Sequence, residues 1–174
     1  MDDALWVFGY GSLMWNPGFA HRRAEKARLV GAHRSLCVYS WVHRGTEARP
    51  GLVFGLDRGG ACTGLAFEVA LADRDAVVAY LREREQVTAV YREVVRPVRL
   101  ADGTVVRAMT YVADRAHPQY AGRLGHAAMV EIVRHAAGRS GRNPDYVRAT
   151  AAHLADLGIR DRGVEALVAE LDGW

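Results

Sequence analysis

Lysine is nearly missing from this 174-residue chain: Lys26 is the single one among 23 basic residues, and the arginines that take its place are scattered. With a formal net charge of only +3 and no run of like charge, a whole-protein nucleic-acid footprint is excluded. Cysteine is equally scarce. Cys37 and Cys62 are too few for a disulfide framework or a four-thiolate zinc site. No leader-like pattern and no apolar span of about 20 residues occurs, so the expected setting is cytoplasmic and reducing, with no membrane contact. The seven histidines show neither His-x-x-x-His nor His-Glu-x-x-His spacing, and no metal site is expected. Repeats, linkers and low-complexity tracts are also wanting. What remains is 50% hydrophobic and 25% charged, a composition that fits one globular domain over residues 1–174 with a sizeable core.

The first two thirds read as strands. Ala4 to Tyr10 is a short apolar run ending in glycines, and Ala27 to Ser40 is a second strand interrupted by Gly31. Gly51 to Leu56 and Thr63 to Ala70 flank Gly59-Gly60, a pattern that predicts a hairpin. Tyr91 to Leu100 and Thr104 to Ala113 predict another, turning at Ala101-Asp102-Gly103. Between them, Ala72 to Glu85 has helical spacing, with Val77, Val78 and Leu81 as the apolar stripe. The last third is helical: one segment carries Met129, Ile132, Val133 and Ala136, with Gly138 as its cap. The next starts at Asn143 as N-cap with Pro144 behind it and stops at Gly158, and a short amphipathic helix runs through Val164 and Leu171. The fold class is α+β.

Two features could carry chemistry. Gly9-Tyr10-Gly11-Ser12-Leu13 follows a buried strand and can aim several N–H groups at one point, as an anion-binding nest or as a plain turn. It lacks the lysine of a phosphate-binding Walker loop and the third glycine of a dinucleotide fingerprint, and Ser12 has none of the context of a hydrolase nucleophile. The second feature is Glu85. At about 100° per residue it falls inside the stripe of Val77 and Leu81, whereas Glu83 points away. A carboxylate on a buried face is either half of a structural ion pair or a general base with a raised pKa. Arg44 is a further candidate, as partner for an anionic group or as a solvated loop arginine.

The run Val7-Phe8-Gly9-Tyr10-Gly11-Ser12-Leu13-Met14-Trp15-Asn16-Pro17-Gly18-Phe19 resembles the N-terminal signature of the ChaC family, the glutathione-specific γ-glutamylcyclotransferases. The resemblance continues in His43-Arg44-Gly45-Thr46, Arg49-Pro50-Gly51, Gly60-x-Cys62-x-Gly64-x-Ala66-Phe67, Tyr80-Leu81 with Arg84-Glu85, Tyr91, and Ser140-Gly141-Arg142-Asn143 with Asp145-Tyr146, so it spans nearly the whole chain. It implies a single-domain mixed β-barrel with peripheral helices, of the γ-glutamylcyclotransferase-like kind. It also implies cofactor-free cleavage of a small-molecule substrate, glutathione, to 5-oxoproline and cysteinylglycine. On this resemblance the catalytic carboxylate is Glu85, the substrate loop is Tyr10, Gly11, Ser12 and Leu13, and a further substrate-contacting tyrosine is Tyr120. Two departures bear on substrate choice: Tyr120-Ala121-Gly122-Arg123 replaces the family's usual Tyr-Leu-Gly-Pro, and Glu68 follows Phe67 where arginine is common.

The chemistry accounts for these residue types. In a γ-glutamyl amide the substrate's α-amine attacks its own γ-carbonyl, so no enzyme nucleophile is needed and the protein holds the folded conformer. A base must take the ammonium proton and an acid must protonate the leaving amine, and one carboxylate can do both. Loop donors hold either the γ-glutamyl headgroup or the carbonyl oxyanion. The alternatives are the same reaction on another γ-glutamyl amine or amino acid, and a non-catalytic binding or regulatory protein on the same fold.

Overall fold

Five strands make the frame: β1 (Leu5–Gly9), β2 (Arg23–Ser40), β3 (Gly51–Val69), β4 (Tyr91–Leu100) and β5 (Val105–Ala113) close into a barrel in the order β1-β3-β2-β4-β5. The structure is a computed structural model and describes residues 4–85 and 89–173. β1 runs antiparallel to β3, pairing Leu5 with Val69 and Gly9 with Leu65, and closes the barrel by parallel pairing with β5 at Trp6 and Val7. Trp6 and Phe8 of β1, and Tyr10 just beyond its end, alternate into a cluster with Leu29, Leu56, Ala66, Val98 and Leu100. Val7, between them, is fully buried as well, so both faces of β1 are covered, as expected of an almost wholly apolar strand.

The chain divides into two compact units, Met1–Arg34 with Leu56–Asp114, and Ser35–Gly55 with Arg115–Trp174. The first holds β1, β4, β5 and the helix α1 (Arg74–Glu85), which is led in by a 3-10 turn at Leu71–Asp73. The second holds α2 (His126–His135), the paired two-residue strands β6 (Ala137–Gly138) and β7 (Gly141–Arg142), α3 (Asn143–Asp156) and α4 (Arg162–Asp172). No helix among the described residues is long and apolar enough to cross a membrane, and no cluster of potential metal ligands occurs among them.

The β4–β5 hairpin turns where Asp-Gly predicts, with Gly103 at φ +90° and the Asp102 carboxylate accepting from the Thr104 N–H at 2.8 Å. Three local expectations are corrected. Gly51 to Val69 is one 19-residue strand, not a hairpin. Gly59 and Gly60 do take positive φ, +101° and +68°, but inside a strand that continues past them, as glycines do at a kink or bulge. Gly138 does not cap α2, which ends at His135. It lies in β6, where a Cβ would collide with the Val42 carbonyl and the Gly45 backbone. Asn143 is not an N-cap. Fully buried, it accepts from the Leu52 N–H and donates to the Leu52 carbonyl, both at 2.8 Å, clamping β3 to the start of α3.

Candidate active site

At the end of β1 the chain leaves the barrel through Tyr10 and Gly11 and enters a single 3-10 turn, Ser12–Met14. The Met14 N–H closes this turn on the Gly11 carbonyl at 2.9 Å, so the N–H groups of Ser12 and Leu13, the first two of the turn, have no acceptor within it. Leu13 and Met14 are buried and pin the turn, while Ser12 is exposed. Close approach demands glycine at two points here. A Cβ on Gly64 would meet the Gly9 carbonyl and the Phe8 ring, and one on Gly18, at φ +73°, would meet the Tyr80 hydroxyl.

Two arginines fix the loop. Arg34, 8% exposed, donates from Nε to the Tyr10 carbonyl at 2.6 Å and from Nη2 to the Thr63 carbonyl at 2.8 Å. Arg84, from the last turn of α1, donates from Nη2 to Ser12 Oγ at 3.0 Å and from Nη1 to the carbonyls of Asn16 at 2.6 Å and Pro17 at 3.1 Å. Nη1 also reaches the Tyr80 hydroxyl at 3.1 Å, and Phe19 packs edge-on between Phe67 and Tyr80. Ring contacts and a cation therefore join the loop to α1.

Glu85 lies where the helical spacing predicts. Val77 and Leu81 are buried beneath it, Glu83 is exposed, and the Glu85 side chain retains 18% of its exposure. Arg84 Nε stands 3.7 Å from Glu85 Oε1, and no other hydrogen-bond or ion-pair partner of this carboxylate occurs among the described residues. Burial raises the Glu85 pKa above the ordinary value, and the Arg84 charge opposes that without cancelling it. Burial of this kind makes the carboxylate a stronger proton acceptor than a solvated glutamate.

Tyr10, Gly11, Ser12, Leu13 and Glu85 all belong to the first unit, and Arg84 joins the loop to the helix that carries Glu85. Arg44 and Tyr120 belong to the second. The Arg44 guanidinium lies 5.5 Å from the Tyr146 ring centroid and donates to the Arg142 carbonyl at 3.3 Å, and the residue is half-buried. Tyr120 bridges to Val38, with the Arg115 guanidinium 5.6 Å from its ring centroid. Glu68, the departure on β3, is 7% exposed and accepts from Arg23 Nε at 2.7 Å.

Sequence reasoning missed the anchoring roles of Arg34 and Arg84. For Arg84 the signal was its place four residues after Tyr80 on the face that also carries Phe19's partner. For Arg34 it was an arginine amid the apolar run of β2.

Known proteins resemble this chain in sequence and fold. A profile for the ChaC-like protein family covers residues 5–173. The glutathione-specific γ-glutamylcyclotransferase of Escherichia coli K12 is 32% identical over 167 residues, which cover 96% of this chain and 72% of that protein. The human glutathione-specific γ-glutamylcyclotransferase 1 is 33% identical over 172 residues, 95% of this chain and 78% of that protein. Among solved structures, a yeast γ-glutamyl cyclotransferase specific to glutathione superposes with a TM-score of 0.85 over 98% of this chain and 96% of its own, at 21% identity, which establishes the common fold. With the profile running from β1 to α4, this chain belongs to the ChaC-like protein family.

Proposed function

We propose that this protein is a γ-glutamylcyclotransferase that acts on glutathione, with Glu85 as general acid and base. The observation that carries the reading is Glu85 itself: a carboxylate of raised pKa beside the anchored Tyr10–Leu13 loop, in a chain whose family relatives bear the name of this activity.

The reaction balances without a cofactor. Glu85, ionised, takes a proton from the substrate's α-ammonium, and the freed amine attacks the γ-carbonyl to form the lactam C–N bond. As the tetrahedral centre collapses, the γ-amide C–N bond breaks, the protonated Glu85 returns its proton to the departing cysteinylglycine nitrogen, and the second proton of the attacking nitrogen passes to that same amine, which leaves as an ammonium while the lactam keeps one N–H. The raised pKa serves the first half, because it makes the carboxylate a better base than an ordinary glutamate, and the same oxygen then carries the proton for the second. Because both reacting groups belong to one molecule, holding the folded conformer supplies much of the acceleration. The N–H groups of Ser12 and Leu13, with Arg84 behind them, favour negative charge and suit either the γ-glutamyl carboxylate or the carbonyl oxyanion.

The test is to incubate the protein with glutathione and follow products by mass spectrometry. The expected result is 5-oxoproline and cysteinylglycine in equal amounts. Glutamate with cysteinylglycine means hydrolysis and contradicts the mechanism. Turnover of a γ-glutamyl dipeptide in preference to glutathione reassigns the substrate. Arg44→Gln and Tyr120→Phe test the two candidate contacts of the second unit through KM.

A further inference from the structure

On the outer face of the barrel, strand pairing sets Val7 beside Met109 and Met109 opposite Val95. Arg107 faces Pro97 on one side of that row, and Tyr111 faces Glu93 on the other. A groove of about 580 Å³ runs between these rows and one flank of α1, where Arg74, Val78 and Arg82 recur at four-residue spacing. Its volume is that of a small-molecule site. Neither Glu85 nor any residue of the Tyr10–Leu13 loop lines it, so it is separate from the candidate active site.

The floor is apolar. Met109 is 6% exposed and Leu5 and Val78 are half-buried, while Val95 is 50% exposed and leaves aliphatic surface open on the wall. The charged lining is Arg74, Asp75, Arg82, Glu93 and Arg107. Two of these are spent on each other: Arg82 grips both oxygens of Glu93, Nε to Oε1 at 3.0 Å and Nη2 to Oε2 at 3.1 Å. The Tyr111 hydroxyl donates to the same Oε1 at 3.0 Å. Arg74, Asp75 and Arg107 have no hydrogen-bond or ion-pair partner among the described residues. Two guanidinium groups and one carboxylate therefore leave the groove with a single uncompensated positive charge. One negative charge balances it. The fork of donors on a guanidinium matches a carboxylate. A phosphate monoester carries nearly two negative charges and sets the excess against Asp75.

We propose that this groove binds a small organic monocarboxylate with an apolar body, the carboxylate held by Arg107 and Arg74 and the body laid over Met109, Leu5 and Val95. The site is distinct from the one assigned to glutathione, and its occupancy requires no turnover.

The experiment labels the methionine methyl carbons of the whole protein and follows Met109 by NMR, with its signal assigned from Met109→Leu. The probes are phenylbutyrate, its neutral amide, and phenyl phosphate. Each is titrated into wild type, Arg107→Gln, Arg74→Gln and Asp75→Asn, whose altered side chains are all exposed and leave the fold intact. Phenylbutyrate is expected to move the Met109 methyl signal to saturation, and the amide to bind about 10-fold more weakly, as loss of a charge-assisted bond implies. Arg107→Gln and Arg74→Gln should each weaken phenylbutyrate by about the same factor. Phenyl phosphate should bind wild type more weakly than phenylbutyrate does and gain affinity in Asp75→Asn. A Met109 signal that phenylbutyrate does not move overturns the proposal. So does an amide that binds as well as the acid, an affinity unchanged in both arginine variants, or a phosphate ester that binds wild type more tightly than the carboxylate.

Discussion

Arg84 Nη2 donates to Ser12 Oγ at 3.0 Å while Nε of the same guanidinium stands 3.7 Å from Glu85 Oε1. One side chain therefore sets the loop and the carboxylate in a common frame, and it is also the charge that restrains the Glu85 pKa. Arg84→Met is expected to lose about 10- to 100-fold in kcat/KM through misplacement of the loop. Its acidic limb should move to higher pH, since the opposing cation is gone and burial acts alone. Arg84→Lys keeps the charge but not the fork of donors, so it should lose activity with a smaller movement of the limb. Steady-state pH profiles of the three proteins check this.

Stability should carry the opposite mark of the same carboxylate. The Glu85 pKa is raised from its ordinary value of 4.5, so across the window above 4.5 the folded chain holds a proton that the unfolded chain has released. Stability from this group is therefore full below that window and is lost as pH rises through it. Glu85→Gln has no such group. Its melting temperature should match wild type at pH 4 and exceed it at pH 8, read by thermal denaturation at both values; a lower melting temperature for Glu85→Gln at pH 8 contradicts the buried-carboxylate account.

Gly64 and Gly125 form a matched pair of glycine-to-alanine tests. A Cβ at Gly64 meets the Gly9 carbonyl and the Phe8 ring, whereas one at Gly125, the residue before α2, meets nothing within 4 Å. Gly64→Ala should cost about 1–3 kcal/mol by overpacking and lower activity by displacing the start of the Tyr10 loop. Gly125→Ala should stay within about 0.5 kcal/mol of wild type, as surface substitutions do. Urea unfolding separates the two.

Asn143 gives a third stability test, in the second unit. Its side chain makes both hydrogen bonds to Leu52, and Asn143→Ala leaves a buried N–H and a buried C=O unpaired. The expected loss is about 2–5 kcal/mol. Asn143→Asp should also destabilise, since it keeps the acceptor for the Leu52 N–H but sets an acceptor against the Leu52 carbonyl. A midpoint equal to wild type for either variant contradicts the clamp.

How far these features could be read from the residues depended on the distance over which each is decided. Glu85 was legible because helical periodicity alone puts it on the face of Val77 and Leu81. The pairing of Glu93 with Tyr111 was also implicit, since each stands nine residues from Asp102 at the turn, but Arg82 joins them only once α1 is docked. Gly59-Gly60 misled because a hairpin turn and a kinked strand call for the same positive φ, and strand partners decide between them. Asn143 misled for a related reason: its N-cap preference is local, while its actual partner, Leu52, is 91 residues away. The contact that gives Arg84 its anchoring role has no local signal, because Ser12 is 72 residues distant.

The most direct measurement is 5-oxoproline release from glutathione by Glu85→Gln beside wild type, with circular dichroism showing that both are folded. The glutamine keeps the shape and a hydrogen-bonding head but cannot carry the proton. The account predicts a loss of about 10²- to 10⁴-fold in kcat, the range expected for a general acid–base group. A folded Glu85→Gln protein that releases 5-oxoproline at the wild-type rate contradicts it.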